Sequence, residues 1–292
     1  MVEIMDKANI TRHDLKHNFL TTGIVRLDYS GVISIEDKIQ ESSDYLREKG
    51  YTELEEGYID QFSIKLYDPS KIETMRSIST EEFTRNKSYK FHNPDNKNII
   101  EITKFFIILT INYDFYTKFE NYITLFSGLA NKLLKEQPFL KPLRIGSRKI
   151  ATLFIYDNER INEYFEPHFY VNPLKNSKII NNKPMLASHN AIDTFNIDNT
   201  SVNIIRNILK GSKTIQGKDE DVFRVIFDID CYSSGKYVLD IIKNDEITKK
   251  LEEFNNLDFD LYKNAVKFEF LKKLMLPEEF KDDNILEGVR RQ

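Results

Sequence analysis

The chain has 292 residues, 40% hydrophobic and 30% charged, too apolar for wholesale disorder and long enough for one large domain or two modest ones with proper cores. Its 42 basic and 46 acidic residues leave a formal net charge of −4, which removes any global electrostatic argument for nucleic acid or an anionic membrane. One cysteine, Cys231, rules out an intramolecular disulfide framework and fits a reducing cytoplasm, while a polar start without an apolar core argues against a secretion signal or membrane helix.

Residues 23–32 alternate as a strand, and Ser34 with Asp37 then opens a helix carrying Ile35, Ile39 and Leu46 on one stripe, stopped by Gly50. Residues 57–67 alternate as a half-buried strand, with Tyr58 on one face and Ile59 on the other. A turn at Asp68-Pro69-Ser70 ends that strand, and a polar stretch with a second turn at Asn93-Pro94-Asp95 follows. The nearly continuous Ile, Phe, Leu and Thr of residues 99–113 predicts a central strand. Thr117 and Glu120 form a capping-box pattern ahead of the clearest helix, which carries Phe119, Tyr122, Ile123, Phe126, Leu129 and Leu133 at helical spacing.

After Pro138 and Pro142 comes a strand built on Arg144-Ile145-Gly146-Ser147-Arg148, and Asp157 starts a short helix ending before Pro167. Residues 172–184, rich in Asn, Lys and Pro, read as a loop or linker between an N-terminal half, 1–171, and a C-terminal half, 185–292. Strands are expected over 185–195, 201–209 and 221–232, then helices over 245–254 and 258–275. The expected fold is α+β, with antiparallel or mixed sheets and amphipathic helices packed on one side. A faint echo links the halves: Arg26-Leu27-Asp28-Tyr29-Ser30-Gly31 and Ile229-Asp230-Cys231-Tyr232-Ser233-Ser234-Gly235 each close a strand ahead of a helix.

Strand alternation puts Arg144, Gly146 and Arg148 on one face, and Ile145, Ser147 and Lys149 on the other. Two guanidiniums beside a residue without a side chain make a candidate grip for a carboxylate or phosphate; ion pairs with acids of a neighbouring strand or helix, with Gly146 marking a bulge or a helix crossing, are the favoured reading. Asp228 and Asp230 share a strand face with Arg224, a placement that can hold Mg²⁺ or Mn²⁺ for nucleotidyl transfer, although the Gly211-Ser212 pair upstream makes only an incomplete motif. Glu101 and Lys104 are one residue too far apart for a metal nuclease. His13 and His17 lack the glutamate of a zinc protease motif, and Cys231 shares an apolar face with Phe227 and Ile229, as a buried small hydrophobe does. Phosphate loops and nucleophile-elbow serines are missing.

The box Arg144-Ile145-Gly146-Ser147-Arg148-Lys149-Ile150-Ala151, followed by Tyr164-Phe165-Glu166-Pro167 and Asp228-Ile229-Asp230, resembles a sporadically distributed, functionally uncharacterised family of bacterial proteins of similar length. That family's box runs Arg, apolar, Gly, Leu, Arg, aromatic, apolar, Asn, so Ser147, Lys149 and Ala151 depart from it. The resemblance implies no activity; scattered distribution implies mobile or defence-associated genes. The expectation is therefore a non-enzymatic cytoplasmic binding or assembly protein without a cofactor, in phage defence or a toxin-antitoxin-like system. Its partner is another protein or a self-copy, engaged through Arg144, Gly146 and Arg148. The alternative is a metal-dependent phosphoryl or nucleotidyl transfer enzyme with Asp228 and Asp230 as ligands.

Overall fold

Period-two alternation over long stretches drives the architecture. In a computed structural model that describes residues 6–33, 35–63, 82–171, 186–215 and 217–291, a two-residue strand β1 (His17–Asn18) leads into β2 (Leu20–Ser30), where Val25, Leu27 and Tyr29 are buried and Ile24, Arg26 and Asp28 are half-buried. Helix α1 (Ile35–Glu48) buries Ile35, Ile39 and Leu46 as the spacing predicts, and its expected cap, Ser34, lies outside the described residues. Gly50 ends it in a left-handed conformation at φ 85°, where a side chain is strained.

Strands β3 (Glu53–Ser63), β4 (Glu82–His92), β5 (Ile99–Ile102) and β6 (Phe106–Asn112) follow. Three expectations are corrected there. The strand expected over 57–67 starts earlier and is more exposed than expected, with Leu54 and Tyr58 at 50% and 58% exposure, because β3 is a sheet edge; its residues 64–67 lie outside the described ones. The polar stretch contains a strand, β4, whose Tyr89 and Phe91 reach the core. The single strand expected over 99–113 is a hairpin, because the Thr103 hydroxyl accepts from the amides of Phe105 and Phe106 and turns the chain.

Helix α2 (Phe119–Leu134) buries the expected apolar face, but Lys118 is its cap residue and the Thr117 hydroxyl contacts Tyr122 instead. Strand β7 (Lys141–Ile155) and a short helix α3 (Ile161–Tyr164) complete the first half; Asp157 caps the turn before α3 by accepting from the Glu159 amide at 2.8 Å. The expected linker, 172–184, lies outside the described residues.

The second half adds β8 (Ser188–Ile197), β9 (Thr200–Ile215), β10 (Lys218–Ser234), α4 (Lys236–Lys243), α5 (Ile247–Ala265), α6 (Phe268–Met275), β11 (Ile285–Glu287) and β12 (Arg290–Arg291). The helix break expected near residues 255–257 falls at Val266, which bridges to Phe165 in extended conformation; Asn255 and Asp258 sit inside one helix because both face the core. Helix α4 was not anticipated.

Among the described residues, ten strands form one sheet in the order β3-β4-β5-β6-β2-β7-β10-β9-β8, with β11 added beside β7, and the nine main strands pair antiparallel throughout. The class is α+β, as expected. The sheet runs straight across the two halves, since β7 of the first pairs with β10 of the second from Phe223↔Ile155 to Ser234↔Arg144, and a single apolar core draws on both. No helix among the described residues is long and apolar enough to cross a membrane.

The echo between the halves has a local structural counterpart. Strands β2 and β10 flank β7 on its two sides, each runs antiparallel to it, and each ends at a glycine with φ 76° that turns the chain toward a helix. At Gly31 the turn admits nothing larger, because an added Cβ would lie 1.9 Å from the Phe139 carbonyl oxygen.

Candidate functional site

Strand β7 is central, so its two faces meet different worlds. Ile145, Ala151, Leu153 and Ile155 point into the helix-covered core, while Arg144 and Arg148 remain half-buried on the other face, as alternation predicts. The neighbours in register are acidic: Asp28 of β2 lies opposite Arg144, and Asp230 of β10 lies opposite Arg148.

Arg144 is gripped from both sides. Its Nη2 donates to Asp230 Oδ1 at 2.5 Å, its Nη1 is 3.7 Å from Asp28 Oδ2, and its guanidinium lies 4.5 Å from the centre of the Tyr232 ring. Asp28 also takes the Arg26 guanidinium at 2.6 Å. Arg148 forms a two-pronged pair with Asp228, Nε to Oδ1 at 2.9 Å and Nη2 to Oδ2 at 2.5 Å. That contact, foremost its hydrogen bond, raises the Arg148 pKa above its ordinary value.

Gly146 has a steric reason. A Cβ there would meet the Tyr232 Cβ at 2.9 Å and the Cys231 carbonyl oxygen at 3.0 Å, so glycine lets β7 and β10 close while the Arg144 guanidinium lies over Tyr232. The three residues singled out from the sequence thus form one unit on one face. They line a concave hollow of ≈ 510 Å³ together with Arg26, Glu101 and Asn203.

The two readings of the arginines converge, since they face a hollow and are also paired. Exposure separates them: the Arg144 and Arg148 side chains keep 25% and 39% of their surface, whereas Asp228 keeps 5%. The pairing hides Asp228, while Asp28 and Asp230 stay partly exposed beside Arg144, and guanidinium surface is left facing the hollow.

Asp228 and Asp230 do lie on this face, but each is engaged by a guanidinium, and a cation would have to displace it. Among the described residues no group of three His, Cys, Asp or Glu side chains is arranged to hold a metal ion. The Gly211-Ser212 pair lies within β9, opposite Val222 and Asp221 and far along the sheet from Asp228, so the nucleotidyl-transfer pattern does not assemble. His13 sits in a 3-10 turn and His17 in β1, not on one helix.

Sequence reasoning missed a second polar cluster, on the covered face of the same strand. Lys149 is buried against α5, where Asn255 Oδ1 accepts from its ammonium and Asp258 Oδ2 lies 3.8 Å away. Cys231 Sγ donates to Asp258 Oδ1 at 3.1 Å, and Ser147 Oγ lies 3.5 Å from Oδ2. Burial dominates both charges, lowering the Lys149 pKa to about 8 and raising that of Asp258 to about 6. Burial also pushes the Cys231 thiol well up, the expected state of an inert buried thiol. The signal was present: Lys149 occurs in phase with Ile145 and Leu153, and Asp258 in phase with Leu251 and Tyr262.

No known protein-family model matches the chain, and no curated protein matches its sequence.

Proposed function

We propose that the chain is a non-enzymatic binding or assembly protein of the bacterial cytoplasm, and that its partner protein docks on the open face of the sheet around Arg144 and Arg148. One observation carries this reading: a half-exposed Arg26, Asp28, Arg144, Asp230 network with Arg148 and Asp228 beside it, lining a concave hollow at the centre of a large sheet. Fixed guanidiniums with surface to spare are pre-organised to take a carboxylate or backbone carbonyl, and arginine and tyrosine together are the residue types that dominate recognition surfaces. Placement in a defence or toxin-antitoxin-like system rests on the resemblance to a scattered bacterial family.

The test is affinity capture of the full chain from its native host, with quantitative comparison of wild type, Arg144→Glu and, as an opposite-face control, Tyr237→Ser. A specific partner should be retained by wild type and Tyr237→Ser and lost from Arg144→Glu, provided thermal unfolding shows the variants folded. Equal capture by all three would reject the open face as the docking surface. Turnover of a nucleotide by the purified chain without a partner would reject the non-enzymatic reading.

A further inference from the structure

The buried cluster under the sheet borders a cavity of ≈ 50 Å³ lined by Arg12, Tyr113, Lys149, Asp258 and Tyr262, with apolar walls that include Leu15, Phe227 and Phe259. On this measure one water needs about 10–15 Å³, so the space suits roughly three to five non-hydrogen atoms. Two donors on its wall find no hydrogen-bond partner among the described residues. The Tyr262 hydroxyl is buried, on a residue only 6% exposed, and Arg12 Nε is likewise buried; neither has a partner among the described residues. Leaving such groups unsatisfied costs about 1–3 kcal/mol each, so a ligand that accepts from them is favoured.

The surrounding contacts hold these donors in place. Arg12 Nη2 donates to the Asn255 carbonyl oxygen at 2.7 Å and to Asn256 Oδ1 at 2.6 Å, and its guanidinium lies 5.4 Å from the Phe259 ring centre. The Tyr262 ring is set by Phe19 at 5.2 Å and Phe259 at 6.3 Å. Arg12 and Lys149 bring two positive charges and Asp258 one negative charge, which leaves one positive charge facing the space. The orphaned groups donate and do not need to accept, the charge left over is positive, and the remaining wall is apolar.

We propose that this cavity is the binding site of a small aliphatic monocarboxylate, held by Arg12 and Tyr262 through its carboxylate and by Leu15, Phe227 and Phe259 through its short tail. The site is on the opposite side of the sheet from the open-face network and does not depend on the docking reading.

The experiment is calorimetric titration of the full chain at neutral pH with propionate, and with propionamide as the neutral isostere. Propionate should bind saturably at one site, with propionamide at least about tenfold weaker, the scale of one charge-assisted contact. Tyr262→Phe keeps the ring packing and should weaken propionate about tenfold; Arg12→Gln should weaken it further. Absence of saturable binding would mean that internal waters fill the space, and would overturn the proposal. So would equal affinity for the amide, or unchanged affinity in a folded Tyr262→Phe variant.

Discussion

Arg148 and Lys149 are adjacent in sequence and lie on opposite sides of one sheet. Arg148 keeps more than a third of its side-chain surface and meets Asp228 in a two-pronged pair, while Lys149 is buried, donates to Asn255 and lies 3.8 Å from Asp258. Both are nominal ion pairs of a basic strand residue with an aspartate. What separates them is solvation: on the open face water offsets the cost of charge, so arginines stay available for recognition, and on the covered face desolvation wins and shifts both groups toward neutrality. The open-face charges therefore fit the proposed recognition role, and the covered ones form a buried polar site.

The sharpest way to break this contrast is to remove the covered pair altogether. Lys149→Met combined with Asp258→Leu should give a chain at least as stable as wild type at neutral pH, by up to about 4 kcal/mol in urea unfolding, because the desolvation of both charges disappears. Its pH profile should change too. The folded-state pKa of Asp258, about 6, lies above its ordinary 3.8, so this group's contribution to stability falls as pH rises from about 4 to 6. The folded-state pKa of Lys149, about 8, lies below its ordinary 10.5, so its contribution recovers as pH rises from about 8 toward 10.5. Wild type should show both slopes and the double variant neither; a double variant that keeps both slopes would assign them to other groups.

On the open face the effects are smaller. Arg148→Ala strands the buried Asp228 carboxylate and should cost about 2 kcal/mol in chemical unfolding. Gly146→Ala forces β7 and β10 apart at Tyr232 and should cost about 1–3 kcal/mol, read as a lower Tm. Arg144→Gln removes a partly exposed network member and should cost about 1 kcal/mol or less. An Arg144→Gln penalty above that of Arg148→Ala would reverse the ranking and make Arg144 the main fold-holding arginine.

The legible part of this molecule is the part governed by alternation. The faces of β7 and β10, the shared face of Arg144, Gly146 and Arg148, and the apolar face of Cys231 follow from period two, and the structure has them so. The turn at Thr103 was hidden because one side-chain hydroxyl interrupts an otherwise continuous apolar run. Strand β4 was hidden by polar residues that are tolerated near a sheet edge. Which acids would meet the arginines was beyond reach, because Asp28 is 116 positions from Arg144 and Asp230 is 86 away, a pairing that only the sheet order creates. The covered cluster was visible as a lysine in the buried phase of a strand, but its partner on α5 depends on a helix that continues through Asn255 and Asp258, where the sequence suggested a break.

In the proposed function the open-face arginines serve recognition beyond holding strands together, and a charge swap separates the two roles. Arg148→Asp with Asp228→Arg keeps an ion pair at the same place while inverting the charge that faces the hollow; the measurement is partner capture alongside thermal unfolding, with Arg144→Gln as a second folded variant. The account predicts a chain that unfolds within a few degrees of wild type and no longer retains its partner, with Arg144→Gln also weakened. A swapped chain and an Arg144→Gln chain that both capture the same partner as well as wild type would contradict it, and would leave these residues as strand fasteners alone.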